Sequence, residues 1–342
     1  MVRGVACGLG AALLFGLSTP LAKLLLPESG PFMLAGLLYM GSGLGLLALA
    51  PFDRARIEAP LQRADTGPLL GMILAGGIAA PLLLMFGLGR LPGSTASLLL
   101  NLEAPFTIAL AVAVFGESLS RREVAGSAAI LLGGVALGMQ DGPGRLQLSG
   151  GLAVAGACLG WALDNNLSQR VSLHDPVAVV RVKSLVAGAV NLAVAVALGH
   201  RFPPLPALAG ALAVGFLGYG ASIVLHLRAM RELGTARQSA LFATAPFAGA
   251  LAAGPLLGER PTALGLGAGV TMLLGVGIML RARHGHDHAH VQTEHVHAHV
   301  HDDHHLHPHE ESVNGAHSHL HRHPALTHDH PHLPDAHHRH EH

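Results

Sequence analysis

Long apolar runs alternate with short polar breaks over most of the chain. A membrane-spanning helix needs about 20 mostly apolar residues, and backbone groups in lipid must be hydrogen-bonded internally. Such runs are therefore predicted to be helices despite their many Gly and Pro residues. Ten are present, at residues 4–26, 31–52, 68–89, 93–115, 122–139, 149–169, 176–199, 207–227, 235–257 and 262–281. The pattern predicts an all-α polytopic membrane protein with ten transmembrane helices.

The breaks between the runs differ in positive charge. If the N-terminus lies in the cytoplasm, twelve arginines fall on the cytoplasmic side: Arg3, Arg54, Arg56, Arg63, Arg121, Arg122, Arg170, Arg228, Arg231, Arg237, Arg281 and Arg283. Four fall on the other side: Arg90, Arg145, Arg201 and Arg260. Because Lys and Arg accumulate in cytoplasmic loops, and an even number of spans returns the chain to its starting side, both termini are predicted to be cytoplasmic.

Composition separates the chain into two regions. The chain is 50% hydrophobic and 12% charged, whereas a soluble domain typically has about a quarter of its residues charged. Residues 284–342 hold 9 of the 21 acidic residues, 2 of the 21 basic residues and 23 of the 26 histidines. This segment has few aliphatic residues and no Phe, Trp or Tyr, so it cannot bury a core. A disordered, His-rich cytoplasmic tail is predicted for residues 284–342.

Two stretches of the apolar region are similar at a constant offset of 141 residues. "GRLPGSTASLLLNLEAPFTIAL", from Gly89, aligns with "MRELGTARQSALFATAPFAGAL", from Met230. The repeat unit therefore contains five helices, and an odd number reverses the second copy in the membrane. We predict two inverted five-helix repeats, residues 1–141 and 142–283. Inverted repeats are typical of secondary transporters, in which the substrate site lies near mid-membrane between the halves.

These residues resemble the EamA-type carriers of the drug/metabolite transporter superfamily. The resemblance covers about residues 1–281 and rests on "LLFGLSTPLAKLLL" (13–26), "SLLLNLEAPFTIALAVAVFGE" (97–117), "WALDNNLSQRVSLHDP" (161–176), "VKSLVAGAVNLAVA" (182–195) and "LGTARQSALFATAPFAGA" (233–250). It implies a ten-helix carrier of a bacterial inner membrane that exports or exchanges small organic solutes, driven by an ion gradient. Members differ too widely for a cargo to be transferred, and the tail lies outside the shared core.

Polar residues inside the runs are interpreted by depth. Lys23, His226 and Arg228 lie near the ends of their runs, where long side chains reach water. Glu103 instead lies about 15 Å from the start of its run, near mid-membrane. A charge there is costly and by default marks a transport pathway, so Glu103 suits proton carriage or attraction of a cationic group; a permanently paired structural carboxylate is the alternative. Its repeat counterpart is Thr244, so the two halves differ chemically.

The sixth and seventh runs carry charges at similar depth. Asp164 and Lys183 each lie roughly 7–10 Å from the same side, which predicts an ion pair between the two helices. The pair either lines the cavity, with Trp161 as an apolar wall, or clamps the helices together. The other pathway candidates are Asn165, Asn166, Arg181 and Thr244.

Prolines interrupt several runs, with Pro20, Pro105 and Pro246 as the main candidates for helix breaks. A proline removes a backbone donor and disturbs the helix around it. The freed carbonyls either contact a ligand or belong to a simple kink.

Histidines recur at nearly every second residue of the tail. In an extended chain, residues two apart project to the same side, so each group offers several neutral imidazoles to Zn²⁺, Ni²⁺, Co²⁺ or Cu²⁺. We predict a metal buffer of many weak sites. The candidate ligands are His284, His286, His288, His290, His295, His297, His299, His301, His304, His305, His307 and His309. The alternative is a tail that becomes cationic near about pH 6 and lies on anionic lipid.

Several function classes remain open. The first is a secondary carrier, with a proton as the expected coupling ion, that moves a small organic solute through the lipid bilayer without a required cofactor. The second is a carrier of a transition-metal ion or chelate fed by the tail, and the third is a membrane-anchored metal sensor or store. No motif supports an enzyme, and no nucleic-acid partner is expected. The oligomeric state stays open, with a homodimer as one alternative.

Overall fold

The computed structural model describes residues 2–50, 65–115, 119–139, 145–168, 175–233, 235–281, 287–290, 293–299, 317–323 and 326–329. From residue 2 to residue 281 the described backbone is helical, apart from turns. The helices are α1 (Val2–Ser29), α2 (Pro31–Leu49), α3 (Thr66–Met72), α4 (Ala80–Leu88), α5 (Gly93–Leu99), α6 (Glu103–Phe115), α7 (Arg121–Gly138), α8 (Arg145–Ser168), α9 (Pro176–Ala197), α10 (Leu205–Gly215), α11 (Ser222–Leu233), α12 (Thr235–Phe242), α13 (Ala245–Leu257) and α14 (Ala263–Met279).

These helices form ten spans, which confirms the predicted helical architecture. Helices α1, α2, α7, α8, α9 and α14 are spans one, two, five, six, seven and ten. The third span joins α3 to α4 through the π-helical segment Ile73–Ala79, and the eighth joins α10 to α11 through the π-helical segment Phe216–Ala221. The fourth joins α5 to α6 through the 3₁₀ turn Leu100–Leu102, and the ninth consists of α12 and α13.

The outer surface of the bundle is suited to lipid. Within the described residues, seven helical segments are long and apolar enough to cross a membrane: spans one to four and seven to nine. The tenth span is apolar but shorter. Large apolar side chains such as Leu132, Leu152 and Leu251 are 66%, 65% and 78% exposed. Spans five and six pack into the same bundle, α7 against α14 and α8 against α4 and α6.

Local sequence fixes several helix ends. Ser120 and Glu123 form a reciprocal capping box at the start of α7, and such pairs satisfy backbone donors that a helix start leaves free. Asp175 caps α9 by accepting a hydrogen bond from the Val177 amide at 2.9 Å. Gly258 ends α13 with φ of 69°, a left-handed conformation that glycine adopts without strain.

The same pairs of spans are in contact when each span number is replaced by that of its counterpart in the other half, five spans away. Span two packs against span seven, span four against span nine and span five against span ten. Span one packs against spans eight and nine, as span six packs against spans three and four. The π-helical segments also occupy equivalent spans, as do the breaks between α5 and α6 and between α12 and α13. The internal sequence similarity is therefore accompanied by a similarity of packing.

Glycines allow the closest helix contacts. A Cβ atom on Gly16 would collide with the Ala245 carbonyl, and one on Gly249 would lie 2.6 Å from the Gly16 carbonyl oxygen. Spans one and nine thus touch through their backbones, as small residues permit in membranes. Gly126 and Gly275 allow the same contact between spans five and ten.

The described residues of the tail lie in four short strands. Strand β1 (Asp287–His290) pairs antiparallel with β4 (Leu326–Asp329), and β2 (Thr293–His299) pairs antiparallel with β3 (His317–His323). Histidine at alternate positions gives these segments the two-residue period of a strand. The disorder predicted for residues 284–342 stays a prediction. The candidate ligands His284, His286, His301, His304, His305, His307 and His309 lie outside the described residues.

Candidate functional site

Equivalent chain breaks in spans four and nine form the centre of the site. Pro105 lies in the first turn of α6 and Pro246 in the first turn of α13. Each proline lacks the amide that would bond the carbonyl four residues earlier, so the Asn101 and Phe242 carbonyls lose their usual helical donor. The helices end just before these prolines, at Leu99 and at Phe242. Pro20, in contrast, lies within the continuous helix α1, so no break occurs there.

A cavity of about 400 Å³ lies between the two breaks. It is lined from spans one, four, six, eight, nine and ten by Phe15, Leu100, Asn101, Glu103, Ala104, Thr107, Ile108, Asn165, His226, Ser239, Phe242, Ala243, Ala245, Pro246, Val276, Met279 and Leu280. These residues run from the level of the breaks toward the end of the bundle at which α1 begins and α14 ends, called here the N-terminal end. Most of the wall is apolar, with a few polar groups.

Glu103 is the carboxylate of this cavity. It is the first residue of α6, where the positive end of the helix dipole favours a negative charge. The Asn165 side-chain amide donates a hydrogen bond to Glu103 Oε1 at 2.7 Å, which joins span four to span six. The carboxylate is half-buried and lines the cavity, so a solute that enters can reach it.

A second polar pair lies at the wall formed by spans eight and nine, where His226 contributes to the lining. His226 Nδ1 lies 3.0 Å from Nε2 of the fully buried Gln238. The imidazole meets the edge of Phe242 with ring centroids 4.7 Å apart, and Phe242 packs on Phe15 at 5.3 Å. Ser239 lies beside this pair on the cavity wall. The sequence places His226 near a water-facing end, but the structure makes it part of the cavity.

The Asp164–Lys183 ion pair forms, but neither residue belongs to the cavity lining. The side chains are 9% and 14% exposed and join span six to span seven. Gly76 of the third span leaves room for Asp164, since a Cβ atom at Gly76 would collide with the carboxylate. The pair therefore lies where spans three, six and seven meet.

The carbonyls of the π-helical segment in span three organise that junction. The Gly76 carbonyl accepts hydrogen bonds from the Tyr39 hydroxyl at 2.6 Å and from Trp161 Nε1 at 3.1 Å. The Gly77 carbonyl accepts one from Asn191 Nδ2 at 3.1 Å. Trp161 is thus a buried donor between spans rather than a wall of the cavity.

Polar contacts join helix ends at the end of the bundle opposite the N-terminal end. Glu259 accepts hydrogen bonds from the Ser94 amide at 2.9 Å and the Ser94 hydroxyl at 2.7 Å, and also from the Gly93 amide. Lys23 Nζ donates to the carbonyls of Leu88, at 3.2 Å, and Leu91. Span nine and span one thereby hold the turn that precedes span four.

Comparison with known proteins identifies the fold and the class of activity. The sequence model of the EamA-like transporter family matches residues 2–139 and again residues 148–281. The chain belongs to the EamA-like transporter family. A crystal structure with 22% sequence identity has a TM-score of 0.60 and covers 81% of this chain and 98% of that one, so it shares the EamA-like fold.

Relatives of this EamA-like protein are named as transporters. An uncharacterized transporter of Methanothermobacter thermautotrophicus is 32% identical over 267 residues, covering 73% of this chain and 78% of that protein. A probable amino-acid metabolite efflux pump of Salmonella typhimurium is 32% identical over 166 residues, covering 47% and 52%. A probable terminal-alkyne amino-acid exporter of Streptantibioticus cattleyicolor is 27% identical, covering 66% and 78%. The protein is a multi-pass membrane transporter and not an enzyme.

The candidate residues of the EamA-like chain divide between the cavity and its surroundings. Glu103 and Asn165 line the cavity. Asn166 is buried and donates to the carbonyls of Thr107 at 3.1 Å and Ala162 at 2.8 Å. Thr244 turns back to donate to the Leu241 carbonyl at 2.6 Å and is absent from the lining. Arg181, on α9, is half-buried and also absent from the lining.

Sequence reasoning missed much of the cavity wall. Asn101, His226, Ser239 and the two phenylalanines line it, and none was a pathway candidate. A usable signal was present for two of them, because Asn101 and Phe242 are counterparts at the repeat offset of 141 residues. His226 carried no comparable signal, since only the packing of α11 against α12 brings it beside Gln238.

Proposed function

We propose that this EamA-like protein is a secondary-active carrier that exports a small organic solute by alternating access. The cavity carries the proposal, because equivalent breaks frame it and contacts between Glu259 and Ser94 close the opposite end. The two family matches, over 2–139 and 148–281, support five-helix repeats at residues 1–141 and 142–283. Five spans in each repeat would place the second copy inverted in the bilayer.

The proposed orientation puts the N-terminal end of the bundle, and with it both termini, in the cytoplasm of a bacterial inner membrane. Support comes from arginines at that end of the described chain, including Arg3, Arg122, Arg237 and Arg281, since such residues accumulate on the cytoplasmic side. In this orientation the cavity faces the cytoplasm, the compartment from which an exporter takes its cargo.

The proposed cargo class is an amino-acid-like metabolite with an apolar side chain. Glu103 and the amide of Asn165 supply polar contacts at one wall, while Phe15 and Phe242 supply apolar surface. A mostly apolar pocket with a few convergent polar groups is the usual form of a small-molecule site. The names of the Salmonella and Streptantibioticus relatives, both of which refer to amino acids, support the same class.

Glu103 is proposed to couple transport to protons. Its hydrogen-bond partner is the neutral Asn165 rather than a cation, so Glu103 forms no ion pair among the described residues. In a mostly apolar wall, the carboxylate would be neutralised in turn by a proton and by the ammonium group of the cargo. Exchange of the two at one group would link export to proton entry.

Replacement of Glu103 by Gln tests this function. The amide keeps the shape and the contact to Asn165 but cannot exchange a proton, so we expect normal folding and loss of proton-driven transport. The measurement is uptake of a panel of labelled amino acids into inverted vesicles with an imposed pH gradient. Glu28→Gln, at an exposed position in the last turn of α1, is the matched control. Full proton-driven uptake by Glu103→Gln would remove Glu103 from the mechanism.

A second proposal is that the tail binds a transition metal such as Zn²⁺, Ni²⁺, Co²⁺ or Cu²⁺, as an accessory to transport. The backbone register of β2 and β3 supports it by pairing His295 with His321, His297 with His319 and His299 with His317. Residues paired directly across an antiparallel ribbon, and those two apart along each strand, share a face. Six histidines therefore occupy one face of this ribbon.

Metal binding by the full-length protein in detergent tests the tail proposal. Replacing these six paired histidines by Asn is expected to lower Zn²⁺ capacity, measured by equilibrium dialysis, more than replacing His328, His330, His332, His337, His338 and His340. Equal losses would contradict a contribution from the ribbon. A chain ended at Arg283 then separates roles in cells: loss of Ni²⁺, Co²⁺ or Zn²⁺ tolerance would favour a metal or chelate cargo, whereas unchanged tolerance supports an accessory tail.

A further inference from the structure

His226 has one ring nitrogen committed to the protein. Nδ1 lies 3.0 Å from Gln238 Nε2, and an amide nitrogen can only donate a hydrogen bond. Nδ1 therefore accepts, and the neutral imidazole carries its proton on Nε2. Gln238 is fully buried, and its Oε1 faces Gly8 without a hydrogen-bond partner among the described residues.

The second ring nitrogen remains available to the cavity. His226 lines the cavity, and Nε2 has no hydrogen-bond acceptor within the part of the chain that the structure describes. Phe242 covers the ring from the side at a centroid distance of 4.7 Å, which limits the positions from which water can satisfy this donor. A donor in a mostly apolar wall gains most from an acceptor that arrives with the cargo.

The cavity thus has two chemically opposite polar walls. Glu103, held by Asn165 of span six, accepts hydrogen bonds, while His226, held by Gln238 of span nine, donates one. The packed rings of Phe15 and Phe242 contribute the apolar surface of the same cavity. This pattern matches a zwitterion with an apolar side chain better than it matches an amine or a carboxylic acid alone.

We infer that His226 is a specificity-determining residue that binds the carboxylate of the cargo through its Nε2 hydrogen, opposite the group that Glu103 binds. The inference rests on the proposed function and adds to it the recognition of the anionic end. It predicts discrimination between a zwitterion and the corresponding amine. Discrimination should depend on His226, while binding of the ammonium group should not.

Matched ligand sets test the inference on the purified full-length protein. Leucine, methionine and phenylalanine are each compared with the amine that lacks the carboxylate and with the acid that lacks the amino group. Dissociation constants are measured by isothermal titration for wild type, His226→Leu, His226→Gln and the control His200→Gln, which lies at the opposite end of the bundle beside Phe32.

We expect wild type to bind at least one amino acid more tightly than its amine. His226→Leu should weaken amino-acid binding by at least about tenfold, the scale of a lost hydrogen bond to a charged group, and leave the amine unchanged. His226→Gln should recover part of the loss, because its amide can donate from a similar position, and His200→Gln should match wild type. Equal weakening of amino acid and amine, or unchanged discrimination in His226→Leu, would overturn the inference alone. No binding of any set by wild type would contradict the cargo class as well.

Discussion

Glu103 and Asp164 are carboxylates of the same bundle, and packing gives them different partners. Asp164 contacts the Lys183 ammonium group and is buried beside Gly76, so its charge is balanced by the protein. Glu103 contacts the neutral amide of Asn165 and lines the cavity. Of these two carboxylates, Glu103 is the one at which a solute or ion can compete.

The Asp164–Lys183 pair leads to a prediction about stability. Lys183→Met leaves the buried carboxylate without its cation, which typically destabilises a protein by about 3–5 kcal/mol. The double variant Asp164→Asn/Lys183→Met removes both charges and should regain most of the loss. Thermal unfolding in detergent measures both, with Arg181→Met as the control on the same helix. If Lys183→Met unfolds at the temperature of Arg181→Met, the pair does not clamp the spans.

For these residues, the sequence predicted the contact that depends only on how deep each residue lies in its span. The similar depth of Asp164 and Lys183 predicted their contact, and the contact forms. Depth could not say which side of span six each polar residue occupies, because the polar residues of α8 are not confined to one face of the helix. For this reason the sequence could not show that Asn165, rather than Asp164 or Asn166, lies beside Glu103.

At the scale of the helices, prolines inside spans differ in whether they interrupt the helix. Pro105 and Pro246 follow breaks in spans four and nine, whereas Pro20 lies within the unbroken α1. The carbonyl that Pro20 deprives of a donor belongs to Gly16, and this carbonyl packs against Gly249 of span nine. Contact with a neighbouring helix therefore accommodates one freed carbonyl without a break, a result that the sequence of α1 does not contain.

The contact between spans one and nine leads to a prediction for glycine substitutions. Gly16→Ala places a methyl group against the Ala245 carbonyl, and overpacking of this kind typically costs about 1–3 kcal/mol. Gly151→Ala in α8 meets no atom within 4 Å and should be neutral or slightly stabilising, since Ala favours a helix over Gly by up to about 1 kcal/mol. Unfolding temperatures in detergent compare the two. A Gly16→Ala variant as stable as Gly151→Ala would contradict a close backbone contact.

The bundle as a whole has contacts between its two halves at one end and a cavity that extends toward the other. Glu259, from the second half, holds the start of α5, from the first half, while the cavity extends toward the N-terminal end. The proposed alternating access requires the opposite arrangement as well, and in that proposal these contacts separate during the transport cycle. Glu259 and Lys23, which hold the same turn from spans nine and one, are the residues whose loss should favour that separation.

Removal of the Glu259 charge should open this end. Glu259→Gln weakens the contacts to the Ser94 and Gly93 amides, because hydrogen bonds to a carboxylate are roughly twice as strong as those to a neutral acceptor. We expect faster labelling of a cysteine placed at the fully buried Ser97 by an impermeant maleimide, in a background without Cys7 and Cys158. Glu28→Gln is the control. Equal labelling rates in the two variants would show that Glu259 does not hold this end closed.

Run length and turn chemistry were sufficient to predict the ten helices, because lipid leaves the backbone of a spanning segment no other way to satisfy its hydrogen bonds. The internal similarity likewise indicated which segments are equivalent. Which side chains share the cavity depended on helix rotation and on contacts between distant spans, such as His226 with Gln238 and Glu103 with Asn165. Apolar helices that face lipid on one side and protein on the other show little polar periodicity, so their rotation is set by close packing at glycines and becomes visible in three dimensions alone.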